Sequence, residues 1–188
     1  LGGGALYIAE NASATIDSST FSNNFSQTVG GAIATHTGAK SLSITDSSFS
    51  NNTAVGNGGA IHSTVDLSIK AENKDVSFTG NEAAKGADIY LANSGKTLTL
   101  DVASDKTMSF DGGIDLNKGN MVITNAGNVL VNAAIENAAS INLSSDSSLK
   151  LGQNFSLSGT PDVTIAGALN SQNGKIDTIN VNNFTGGG

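Results

Sequence analysis

The chain has 188 residues, a formal net charge of −7, no Cys and no Trp, and its nine basic residues are all Lys. A disulfide framework and a Cys-based zinc site are thereby excluded, and a nucleic-acid partner, which needs a basic face, is disfavoured. Charged residues make up 13%, about half the usual share, yet Ile, Val and Leu suffice for a folded core, and no apolar run approaches the ~18 residues of a membrane-spanning helix.

In chain order, the first recognisable unit is Gly3-Gly4-Ala5-Leu6, followed by alternating Leu6/Ile8. Phe21-Ser22-Asn23-Asn24 comes next, then a second tetrad at Gly30-Gly31-Ala32-Ile33. Leu42/Ile44 alternate before Phe49-Ser50-Asn51-Asn52 and a third tetrad, Gly58-Gly59-Ala60-Ile61. Val65/Leu67/Ile69 lead to Phe78-Thr79-Gly80-Asn81 and a worn copy, Lys85-Gly86-Ala87-Asp88-Ile89, whose Gly86 continues the beat of Gly4, Gly31 and Gly59. Two motifs, Gly-Gly-Ala-aliphatic and Phe-x-x-Asn, therefore keep a single common period, within the range that marks a repeat architecture. Beyond about residue 95 both fade, with Phe110-Asp111-Gly112-Gly113 as a last trace. Short alternating segments continue at Leu98/Leu100/Val102, Ile114/Leu116, Met121/Ile123, Val129/Val131, Ile141/Leu143, Leu149/Leu151, Phe155/Leu157, Val163/Ile165 and Ile179/Val181. Apolar residues two apart specify strands with one buried face, and no segment has a capped helical period.

A repeat of this length, holding two or three short strands, fits an all-β parallel β-helix, or β-solenoid, whose coils bury their apolar faces on one another. Wide coils are expected over residues 1–95 and narrower, continuous coils over 96–188, about eight in all. An antiparallel sandwich would explain short strands but not two motifs in phase. In the solenoid, Gly3, Gly4, Gly30, Gly31, Gly58 and Gly59 would turn a repeated corner. Ala5, Ala32 and Ala60 would fit the crowded interior beside it. Phe21, Phe49, Phe78 and Phe110 would stack as an internal ladder, and Asn24, Asn52 and Asn81 would bond turn backbone and each other.

The paired Gly-Gly-Ala-[Ile/Leu] and Phe-x-x-Asn motifs of residues 3–89 resemble the repeats of the chlamydial polymorphic outer membrane proteins (Pmp), which are passenger domains of type V autotransporters. The resemblance implies a right-handed parallel β-helix acting as an adhesin on the bacterial outer membrane surface, or secreted. It implies a host-cell receptor or glycan as partner and leaves a homo-oligomer open. The chain would be a fragment of a longer passenger, exported through a membrane barrel that none of these segments resembles. A structural spacer or filament that projects another domain is the alternative, and a β-helical polysaccharide lyase or hydrolase a more distant one.

No catalytic, cofactor or metal site is expected. His36 and His62 follow two of the tetrads with outward parity and read as exposed polar surface; no third ligand accompanies them. Asp17, Asp46 and Asp75, three or four residues before a Phe, read as a solvated row. The missing Trp and Arg, with only Tyr7 and Tyr90 as further aromatics besides Phe, argue against a sugar-cleaving cleft.

Overall fold

The computed structural model describes residues 2–171 and 183–186, which contain 24 short strands and no helix. The strands stack into three long parallel sheets that face one another around a common interior. The first sheet stacks Leu6–Ile8, Ile33–Thr35, Ile61–Ser63, Ile89–Leu91, Ile114–Asp115, Ala134–Glu136 and Ser156–Leu157. The second begins with Ser13–Asp17, Ser41–Thr45 and Leu67–Ala71 and has eight strands, ending at Asn183–Gly186. The third begins with Thr20–Ser22, Ser48–Ser50 and Val76–Thr79 and has seven. A short fourth pairing joins Phe25–Ser26 to Thr53–Ala54. The chain is thus a parallel β-solenoid of about seven turns, one fewer than the repeat spacing suggests. The expected strand at Ile179/Val181 lies outside the described residues.

The register explains the repeat. Leu6 lies opposite Ile33, Ile33 opposite Ile61 and Ile61 opposite Ile89, so on this sheet one wide turn separates each tetrad from the next. Further along, Ile114 faces Ile135 and Met121 faces Ile141, and these turns are markedly shorter. No sheet is interrupted between the two regimes. Alternation does the packing: in Thr97–Val102 every second side chain is buried, and Ile44, Ile69, Leu100 and Ile123 stack as one inward row. Stacking the turns removes those rows from water at roughly 25 cal/mol per Å² of apolar surface.

The residues that line the interior change as the turns shorten. Phe21, Phe49, Phe78 and Phe110 stack with ring centroids 5.1, 4.7 and 4.9 Å apart and planes within 19°. Val131 and Leu151 then take the same place in the register. The aromatic row thus gives way to aliphatic side chains where the long period ends.

The tetrad glycines do two different jobs. Gly3, Gly30, Gly58 and Gly86 have positive φ, from 55° to 87°, a backbone conformation that side chains resist. Gly4, Gly31 and Gly59 instead lie under a carbonyl of the next turn, where a Cβ would meet oxygen at 2.0 to 2.3 Å. From sequence, Gly86 continues the row of second glycines. The register corrects this: Ile61 faces Ile89, so Gly86 matches Gly58, and Ala87 stands in the second place. Ala32 and Ala60 are fully buried, while Ala5, on the first turn, is exposed.

Candidate functional surface

Behind each phenylalanine rung runs a row of amides. Asn24 Nδ2 donates to Asn52 Oδ1 at 2.8 Å, and Asn52 Nδ2 donates to Asn81 Oδ1 at 3.0 Å. The same oxygens accept the backbone N–H groups of Asn24 and Asn52. Asn52 Nδ2 also donates to the Phe21 carbonyl, and Asn81 Nδ2 to that of Phe49. Asn52 is fully buried and Asn81 nearly so, so every donor and acceptor needs this partnership. The residue before each of these asparagines is left-handed: Asn23, Asn51 and Gly80 have φ of 56°, 54° and 63°. Asn and Gly tolerate that region, and their recurrence was a legible signal that the motif Phe-x-x-Asn overlooks.

The row ends on a carboxylate. Asn81 Nδ2 donates to Asp88 Oδ1 at 2.9 Å, and the Gly112 N–H donates to Asp88 Oδ2 at 2.7 Å. The worn tetrad is therefore the terminus of the amide row: Asp88 occupies the place of Ala60 one turn on and is fully buried. Burial pushes its carboxyl up to about 6; repulsion from Asp111 adds to this, and its hydrogen bonds oppose it.

Three other acids hold loops. Where a turn bulges away from its neighbour, backbone N–H groups lose their ladder partners, and a carboxylate from the preceding turn replaces them. Asp46 accepts from the N–H groups of Glu72, Asn73 and Lys74 and from Asn73 Nδ2, at 2.7 to 3.3 Å. Asp66 accepts from the Thr97 N–H and pairs with Lys96; Asp75 accepts from the Thr107 N–H. The expected solvated row of Asp17, Asp46 and Asp75 is corrected in part. Asp46 is buried, and the register sets it beside Ser18, not Asp17, since Asp17 faces Thr45. Burial alone would raise the Asp46 carboxyl, but the donors around it outweigh that and hold it below the usual carboxylate range.

The histidines also depart from expectation. Neither is freely exposed. His62 stacks on Tyr90 with centroids 5.5 Å apart, and His36 meets the edge of Tyr7 at 6.4 Å. His36 Nδ1 accepts the Gly38 N–H, whereas His62 Nδ1 is buried with no hydrogen-bond partner. Burial holds the His62 imidazole below the usual histidine range. Among the described residues no group of three His, Cys, Asp or Glu side chains is placed to hold a metal ion.

What faces outward is mostly hydroxyl and amide. On the third sheet the outward positions include Ser48, Ser50, Ser77, Thr107, Ser109 and Asn128, and Lys150 is the one charged side chain among those described. A shallow groove of about 390 Å³ lined by Thr107, Leu130, Lys150, Asn170 and Ser171 runs across four of these strands. Apart from Lys150, the described side chains of this face are uncharged and rich in donors and acceptors.

A Chlamydia polymorphic membrane protein repeat matches residues 18–36 and 46–64. Each match spans a phenylalanine rung, its asparagine and the tetrad that follows, so the chain carries two adjacent Pmp-type repeats. No curated protein and no solved structure matches the chain. Repeats of this kind mark a bacterial outer-membrane-associated or surface protein.

Proposed function

We propose that this chain, with two Pmp-type repeats in a parallel β-solenoid, is a passenger segment of a bacterial adhesin exposed on the cell exterior. The observation that supports this best is the outer face of the third sheet. Its hydroxyl and amide side chains suit hydrogen bonding to receptor or glycan hydroxyls, and its near-neutrality avoids repelling an anionic cell surface. No large aromatic anchor of the kind that dominates tight interfaces stands on that face, so single contacts are weak and avidity comes from many copies. Catalysis is not part of the reading, because Asp46, Asp66, Asp75 and Asp88 are already engaged by backbone N–H groups.

A second reading, a spacer that projects another domain, draws on the same loop carboxylates. They tie residues 72–74, 97 and 107 back to the preceding turn, which leaves those loops little reach toward a receptor. Display separates the two readings. The soluble chain should bind host cells in the micromolar range or weaker, and beads coated densely with it should bind measurably. Replacing Ser77, Ser109 and Lys150 together by Glu should abolish bead binding. Coated beads that bind no host cell type would favour the spacer.

A further inference from the structure

Asp88 sits at the seam where wide turns give way to narrow ones. The turn from Ile61 to Ile89 is the last of the wide ones; that from Ile89 to Ile114 is shorter, and those from Ile114 to Ile135 and on to Leu157 are shorter again. The Asp88 carboxylate joins both sides: Asn81 from the amide row and Gly112 from the next turn. The Asp88 N–H donates to the Gly113 carbonyl, and its own carbonyl accepts from Ile61. A fully buried charge normally has a cation, and none is here: the ion pairs among the described residues are Lys70–Glu72, Lys96–Asp66 and Lys106–Asp105. The charged side chain that acts on Asp88 from the following turn is Asp111, which repels it.

We propose that Asp88 makes this seam a proton-operated joint: with the carboxyl protonated the wide and narrow turns pack firmly, and with it ionised the seam opens locally. The physical basis is that ionisation places an unneutralised charge in the interior, held by the N–H groups of Asn81, Gly112 and Asp111 but repelled by the Asp111 carboxylate, and local opening returns it to water. The sign follows from linkage. The group titrates near 6 in the fold and near 3.8 in the open chain, so its stabilisation is full below the lower value and is lost as pH rises through the upper one. The joint therefore loosens between mildly acidic and neutral medium while the sheets on either side stay closed.

A histidine on an adjoining strand responds to acid with the opposite sign. His62, stacked on Tyr90, is held neutral by burial, so acidification works against the first sheet there. The test is therefore read at the seam and repeated in a His62→Gln background. Amide exchange at Gly112 and Gly113, corrected for intrinsic rates, should be up to about 10-fold faster at pH 7.5 than at pH 5, with the second-sheet amides of Leu100 and Ile123 unchanged. In Asp88→Asn the pH difference should vanish. Should that variant not fold, the carboxyl carbon of Asp88 in the unaltered chain gives the answer by NMR, with a midpoint near 6. Equal corrected protection of Gly112 at both pH values, a difference that survives in Asp88→Asn, or a carboxyl midpoint below about 4.5 would each overturn the proposal.

Discussion

Replacing Asp46 by Asn keeps a side chain that tolerates the left-handed backbone there, φ 50°, but offers an NH2 where the fold needs an acceptor. Three backbone N–H groups, of Glu72, Asn73 and Lys74, share that carboxylate. The substitution should weaken protection of these amides by about 1–3 kcal/mol at pH 7, measured by hydrogen exchange. Asp46 is held below the usual carboxylate range, so its stabilisation is present above that range and is lost as pH falls through its lowered value. The gap between Asp46→Asn and the unaltered chain should accordingly close in strong acid. An unchanged gap at pH 2 would mean that the carboxylate charge is not what holds the loop.

At the scale of strands and corners, the two tetrad glycines make separable predictions. Gly59→Ala puts a Cβ 2.3 Å from the Ala87 carbonyl oxygen, with backbone atoms of Glu82 also too close. The corner must shift, and soluble yield and thermal stability should fall sharply. Ala87, in the equivalent place one turn on, already carries a Cβ, and the residue opposite it on the following, shorter turn is Gly112. Ala87→Gly should cost no more than about 1 kcal/mol by thermal melting. The solenoid itself was legible in the sequence, because a ladder fold repeats the same steric demand at each turn and writes it as a period. Phe21, Phe49, Phe78 and Phe110 could be aligned by spacing alone, since identical side chains meet directly above one another. The alignment of Gly86, the partner of Asp46 and the place of Asp88 were not legible. Each depends on where a loop leaves the period, and a one-residue offset in a loop leaves the strand pattern unchanged. The stacking of His62 on Tyr90 was hidden for a similar reason: parity assigns a side chain to the outer face but does not reveal a ring above it on the next turn.

The whole molecule is close to one-dimensional, each turn touching its neighbours and little else. Stability should then be a sum over turns and interfaces, and removal of one complete turn should be tolerated. Deleting residues 33–60 joins Ala32 to Ile61 and restores Gly30-Gly31-Ala32 before an isoleucine. It also brings Leu6 opposite Ile61, Ser13 toward the Leu67 strand, and Phe21 onto Phe78. That variant should keep its β-sheet circular dichroism and cooperative melting, whereas removing half a turn, residues 33–46, should not. Equal loss of structure in both would show that the turns are not independent units.

The amide row also has a sense of direction. From Asn24 through Asn52 to Asn81, one N–H of each amide is passed along the row, to the next asparagine and finally to Asp88, and the oxygens of Asn52 and Asn81 accept from the asparagine before them. The small dipoles therefore add in series, with the positive end arriving at Asp88, and hydrogen bonds in such a chain polarise one another. A row with this sense can only terminate on a group that accepts, and a carboxyl keeps an oxygen that accepts in either protonation state. A lysine at position 88 would meet the row donor to donor, and an alanine, as at Ala32 and Ala60, would leave the last NH2 facing nothing on that side. The acid that looks like decay in the fourth tetrad is the electrical ground of the three that precede it.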